Sequence, residues 1–182
     1  MKEFPVSRVF TLLEPGPVVM VTTSDGKRPN VMTMSWHMML DFDPPIIAIC
    51  VSEGNHSFNA LKKTKECVIA VPPAEMARTV VDIGNCSGRY TDKFARFPIT
   101  PLPTGKVAAP LIGECFANIE CEVIDTRMAG KYNMFILKGV KAWAKPGYKK
   151  YKTMHATGEG YFKLDGETLN LRKRMVKFKD LI

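Results

Sequence analysis

The sequence predicts a mainly β chain with a few helices, folded as a closed or half-closed antiparallel barrel. Three observations carry this. Short runs of apolar and β-branched residues recur along the chain, each bounded by Gly, Pro, Asp or Ser. Helix-period apolar patterns occur in only two places. Most connections between successive strand-like runs are too short for parallel crossovers, so neighbouring strands run antiparallel.

The elements follow in order. Val18–Thr23 (VVMVTT) is a strand ending in Ser24-Asp25-Gly26, a turn by composition. Asn30–Trp36 alternates, with Val31, Thr33 and Ser35 on one face and Met32, Met34 and Trp36 on the other. Asp43-Pro44-Pro45 interrupts the chain, and Ile46–Val51 (IIAICV) reads as a strand buried on both faces. His56–Glu66 places Phe58 and Leu61 on one helical face, with Ser52 or Asn55 available as cap. Cys67–Val71 is a strand stopped by Pro72-Pro73. Pro73–Gly84 reads as a helix, with proline near the first turn and glycine at the stop. Residues 84–110 form a long connection rich in Gly, Pro and Lys, a length that usually serves function or motion. Ala117–Thr126 alternates with period two, and Asn133–Trp143 and Gly160–Leu164 complete the strands.

Composition bounds the class. The 182 residues fit a single domain spanning 1–182. The chain is 46% hydrophobic and 24% charged, enough apolar material for a full core. No apolar run approaches the ~20 residues of a membrane-spanning helix. The N-terminal segment lacks the organisation of a signal peptide. The expectation is a cytoplasmic protein with no membrane partner. Five cysteines, an odd count without a C-x-x-C pair, suggest neither a zinc ribbon nor a disulfide framework. Cys50, Cys67, Cys115 and Cys121 sit in apolar, strand-like settings and read as core residues, whereas Cys86, in the turn GNCSG, is the candidate reactive thiol. His37, His56 and His155 are too dispersed to predict a metal site. The net charge of +8 and the basic run LRKRMVKFKDL raise a nucleic-acid reading. No helix-turn-helix, zinc-finger or RNP pattern accompanies them, so nucleic acid stays a minor alternative.

The chain carries no dinucleotide fingerprint, P-loop, H-E-x-x-H or G-x-S-x-G, and no catalytic dyad stands out. Its chemistry concentrates in three stretches. NVMTMSWHMML, residues 30–40, combines polarizable methionines, the flat surface of Trp36 and the hydroxyls of Thr33 and Ser35. Such a wall suits a broad ligand with an apolar face and a hydrogen-bonding rim. The plain alternative is methionines filling a core and Trp36 as a structural anchor. SEGNHSFNAL, residues 52–61, sets Ser52, His56 and Ser57 at a helix N-terminus, where free N–H groups and the dipole favour an anion. The plain alternative is an ordinary cap at Ser52 or Asn55. SGRYTDKF, residues 87–94, offers Arg89 and Lys93 from the long connection, as ligand clamps or as solvated loop charges.

The continuous stretch from Asn30 to Pro72, followed in order by GNCSGRYTDKF, APLIGECFANIECEVIDT, KYNMFILKGVKAW and HATGEGYFKLDGETLNLRKRM, resembles the flavin reductase-like family of FMN-binding split barrels. The resemblance is to its flavoredoxin-type members and runs from about Pro17 to Met175. It implies an antiparallel split β-barrel, homodimeric, holding FMN non-covalently near the subunit interface. It implies an oxidoreductase with no catalytic side-chain acid or base, NAD(P)H as candidate donor, and a small-molecule or protein redox partner. A non-catalytic flavin-binding module is the alternative. Carried over by position, Met32, Thr33, Met34, Ser35 and Trp36 would line the isoalloxazine. Cys50, Val51 and Ser52 would follow the ribityl chain, and His56, Ser57 and Phe58 would meet the phosphate end. Lys93 would approach the ring, where a cation stabilises a reduced, anionic flavin. Many NAD(P)H-dependent members carry an Asp-His pair before the late strand. Tyr132-Asn133 stands there in this chain, which favours the flavoredoxin branch, with His155 as a candidate substitute.

Overall fold

The computed structural model describes residues 1–13 and 16–176. The end of the basic C-terminal run, residues 177–182, lies outside the described residues. Twelve strands are formed among the described residues: β1 (Lys2–Phe4), β2 (Val19–Ser24), β3 (Pro29–Met34), β4 (His37–Phe42), β5 (Pro45–Cys50), β6 (Glu66–Val71), β7 (Pro101–Leu102), β8 (Leu111–Ile112), β9 (Ala117–Asp125), β10 (Met134–Ala144), β11 (Met154–Gly158) and β12 (Tyr161–Leu164). Five helices accompany them: α1 (Phe10–Leu13), α2 (His56–Thr64), α3 (Ala77–Gly84), α4 (Lys93–Arg96) and α5 (Ala129–Tyr132). None is long and apolar enough to cross a membrane.

The main sheet runs β3-β2-β6-β9-β10-β5-β4, with β1 added to β10. Every pairing is antiparallel. Its two edges, β3 and β4, are consecutive in the chain and joined only by Ser35 and Trp36. So short a joint forces the sheet to curl round until its edges meet at a corner. Curling is aided by register shifts in the β9–β10 ladder, between Ile136 and Leu137 and between Gly139 and Lys141. A Cβ at Gly139 would lie 3.1 Å from Pro45 Cγ and 3.4 Å from Ile119 Cγ2, so a bare backbone lets the strands close.

Alternation explains the two main core clusters. Val19 and Val21 of β2 face the barrel interior with Ile47, Ile49, Ile69, Ile119, Phe135 and Leu137. Met20 and Val31 face outward, under Val80 and Ile83 of α3. α2 closes the interior with Phe58 and Leu61, as its period required.

The antiparallel split-barrel expectation holds, with local differences. The expected strand over Asn30–Trp36 stops at Met34, because Ser35 and Trp36 make the corner. β4 has no clean sequence alternation: its outward residues Met38, Leu40 and Phe42 are large, apolar and exposed. The expected helix over Pro73–Gly84 begins as a 3-10 turn, Ala74–Met76, and becomes α-helical at Ala77. The long connection 84–110 contains α4 and β7, which pairs with β8.

One buried charge anchors that connection. Glu120 of β9 is fully buried. Its carboxylate accepts from the backbone N–H of Gly105 at 3.0 and 3.1 Å, of Lys106 at 2.6 Å, and from Trp143 Nε1 at 2.7 Å. Glu120→Leu strands all three donors. It should lower the unfolding free energy by about 3 kcal/mol, read as a drop in the urea midpoint at constant slope.

Candidate functional site

Three segments converge on a cavity of about 230 Å³: β3 through Asn30, Met32 and Thr33, the turn into α2 through residues 54–57, and the α3–α4 connection through residues 84–88. Lys93 of α4 completes the wall. β3 is the sheet edge, paired only with β2, so it keeps a row of backbone groups outside the ladder. Thr33 Oγ1 donates to Val80 O at 2.6 Å and fastens α3 against this edge. Residues 84–88 follow from the C-terminal end of this fastened helix.

Ser57 is the buried polar centre of the cavity, 1% exposed. Its oxygen accepts from Asn30 Nδ2 at 2.9 Å and from Thr23 Oγ1 at 3.3 Å. Its own proton is then left for a ligand acceptor. α2 begins beside it, and Asn55 makes no side-chain cap bond, which leaves first-turn N–H groups for an anion. Gly88 closes the opposite side, held by Arg28 Nη2 donating to its carbonyl at 2.7 Å. A Cβ there would sit 2.1 Å from Asn30 Oδ1 and 2.9 Å from His56 Cδ2. Only glycine permits this approach.

Lys93 is 4% exposed. Its ammonium donates to Ile83 O at 2.9 Å and forms no ion pair among the described residues. Burial pushes its pKa down, opposed by the neighbouring Cys86 thiol. No Asp or Glu among the described residues lines the cavity. A buried cation, a hydroxyl proton and a helix N-terminus without a facing carboxylate make a site for a ligand rich in anionic and carbonyl oxygens.

Of the residues singled out from sequence, Met32, Thr33, His56, Ser57 and Lys93 come together here. Ser52 lies exposed at the turn before α2, its oxygen accepting from Gly54 N at 3.3 Å. Ser35 and Trp36 occupy the β3–β4 corner, where Trp36 is 75% exposed. Met34, Val51 and Phe58 are not brought to the cavity: all three pack in the barrel core, Phe58 edge-on to Phe135. Cys50 N donates to Trp36 O at 3.0 Å and Val51 N to Asn133 O at 2.8 Å, so both N–H groups are already engaged. Arg89 is exposed and outside the lining. His155 pairs with Asp165 at 2.8 Å instead of reaching the cavity. Asn133 accepts from Glu53 N at 3.3 Å through Oδ1, bracing the turn before α2. Sequence reading missed Asn30 and the glycines at 84 and 88. The signal available was GNCSG, a run of small residues placed just after a helix. Cys86 of that run lines the cavity, half-buried, while Cys67, Cys115 and Cys121 are buried; burial pushes the Cys115 and Cys121 thiols up.

Fold and site together define a split β-barrel with an anion-accepting, acid-free pocket on its open edge. Residues 12–164 match the flavin reductase like domain family, and the chain belongs to it. An uncharacterized protein of Pyrococcus abyssi is 36% identical over 129 residues, covering 71% of this chain and 74% of that one. The crystal structure of an FMN-binding domain of a flavin reductases-like enzyme from Shewanella baltica superposes with a TM-score of 0.84 at 22% identity, covering 93% of this chain and 96% of that one. The flavoredoxin of Desulfovibrio vulgaris (Miyazaki F) superposes with a TM-score of 0.78 at 25% identity, covering 85% and 89%.

The lowered pKa of Lys93 has a definite sign in stability. Between its folded pKa and the ordinary 10.5, the unfolded chain binds the extra proton, so ligand-free stability rises with pH across that window. Lys93→Met should stabilise the ligand-free protein at neutral pH by about 1–2 kcal/mol, because it removes a buried charge without stranding a partner carboxylate. The gain should shrink as pH approaches 10.5, measured by urea unfolding across the pH series.

Proposed function

We propose that this chain binds FMN non-covalently and works as an oxidoreductase of the flavin reductase and flavoredoxin type, as a cytoplasmic homodimer. The observation that carries the reading is the buried Lys93 ammonium in a pocket without an acid, opposite a helix N-terminus and the Ser57 hydroxyl. A protein keeps such a charge where a ligand answers it.

FMN supplies the electron chemistry when bound. The chain supplies binding, orientation and potential. The first turn of α2, Ser57 and His56 hold the phosphate, with Ser52 at the rim. Asn30 aims Ser57 through its 2.9 Å bond. Thr33, whose proton is committed to Val80 O, offers lone pairs only. Lys93 has two N–H groups beyond the one given to Ile83 O, and these meet electron-rich atoms of the ring. Met32, Ser35 and Trp36 flank the ring along the β3 edge. Met34, Val51 and Phe58 pack in the barrel core behind that wall, and Cys50 ends β5. A fixed cation beside the ring favours the reduced, anionic form and raises the potential.

A cavity of about 230 Å³ is smaller than the roughly 300–1,000 Å³ of a complete ligand site. The rest of the ligand extends toward the exposed Trp36. A second copy covers it there, seated on the outward row of Met38, Leu40 and Phe42 along the edge strand β4. NAD(P)H is the candidate donor, and a small molecule or protein redox partner the acceptor. Tyr132-Asn133 favours the carrier role, since Asn133 is spent on bracing the turn before α2.

The purified protein incubated with FMN and then desalted should stay yellow and titrate anaerobically with NADH, NADPH or dithionite. A protein that takes up no flavin ends this reading. Ser57→Ala should weaken FMN about tenfold and riboflavin much less, because the hydroxyl serves the phosphate. Equal losses for both ligands would move the phosphate elsewhere. Trp36→Ala should weaken FMN while leaving the thermal midpoint unchanged, as expected of a side chain that is 75% exposed.

A further inference from the structure

A second cavity, of about 370 Å³, shares no lining residue with the first. We propose that it is a separate small-molecule site for a planar aromatic ring carrying an anionic group. Its size falls within the roughly 300–1,000 Å³ of ligand pockets. Four distant segments build it: the α1 region with Pro17, Phe116 just before β9, residues 148–153, and residues 165–168.

The walls are flat and already oriented. The Tyr151 ring lies parallel to Phe116, with centroids 5.2 Å apart and 3° between planes. Tyr148 is fixed edge-on against Phe4, at 5.2 Å and 83°. Tyrosine walls of this kind take a flat ring by stacking, with little side-chain ordering left to do. The mouth carries cations: Arg8 and Lys149 are both exposed, and neither pairs with a carboxylate among the described residues.

One acid lines the cavity among the described residues, and it is spent. Asp165 Oδ1 holds His155 Nε2 at 2.8 Å. Asp165 Oδ2 accepts from Thr153 N at 2.6 Å and Thr153 Oγ1 at 2.9 Å. His155 Nδ1 faces Gly16 O at 3.2 Å, which ties this network to the segment entering β2. The remaining field at the mouth is that of Arg8 and Lys149, so an anionic ring enters and a cationic one does not. The same chemistry belongs to a nucleotide base with its phosphate and to a free aromatic acid.

Calorimetry on protein loaded with FMN in the first pocket and desalted to remove free flavin separates these sources and keeps the probe out of that pocket. AMP and anthraquinone-2-sulfonate are titrated separately. At least one should bind saturably, one per chain; AMP assigns the site to a nucleotide, the sulfonate to a free aromatic acid. Tyr151→Ala and Arg8→Gln, both at exposed positions, should each weaken that probe by at least about fivefold. Lys93→Met should leave it unchanged, whatever it does to flavin. Absence of saturable binding by both probes, insensitivity to both Tyr151→Ala and Arg8→Gln, or loss in Lys93→Met would overturn the assignment.

Discussion

The two-residue corner Ser35-Trp36 is the constraint on which the architecture depends. It joins the two edges of the main sheet, so the sheet curls and still leaves β3 unpaired on one side. A fully closed barrel would consume that edge in hydrogen bonds. An open flat sheet would leave it facing water. The half-closed form instead presents a strand edge to a cavity, with α2 and the α3–α4 connection packed beside it. The corner also turns Trp36 outward, next to the exposed row of β4.

Polar anchoring then holds the irregular parts in register with the barrel. Glu120 gathers residues 105 and 106 and Trp143. Thr33 fixes α3, Arg28 fixes Gly88, and Asn30 fixes Ser57. Each is a short bond from a rigid strand, or the turn beside it, to a loop or helix. The loops of the cavity therefore inherit the precision of the sheet, which a functional site requires. Lys93 is the exception in energetic terms. It is buried with one carbonyl partner and no counter-charge among the described residues, and it costs stability in the ligand-free chain. Sites of this kind are where stability and function trade against each other.

Much of the fold is legible in residue order. The VVMVTT and CVIAV runs are strands because both of their faces are covered, one by the barrel interior and the other by helices or connecting segments, whereas IIAICV buries Ile47, Ile49 and Val51 in the barrel and leaves Ile46 and Cys50 on its other face only half-buried. Phe58 and Leu61 revealed α2 because a helix period of apolar residues has few other uses. β4 was hidden, since an edge strand with large outward residues lacks the alternation of a half-buried one. β11 was hidden for a related reason: only Met154 of its five residues is buried.

The candidate site divides in the same way. Local chemistry, a helix N-terminus preceded by small polar residues and a lysine in a Gly-rich connection, is written within a few adjacent residues, and His56, Ser57 and Lys93 follow from it. Which methionine faces the cavity and which the core is decided by strand twist and by what packs on each side: Met32 lines the pocket and Met34 fills the barrel. Gly88 against Asn30, 58 positions away in the chain, is likewise set only when the α3–α4 connection folds back onto β3. The sequence determined the well-covered strands and the polar turn into α2, because these rest on contacts between near neighbours. The tertiary structure alone decided the shape of the cavity, because contacts between distant segments depend on closure of the whole sheet.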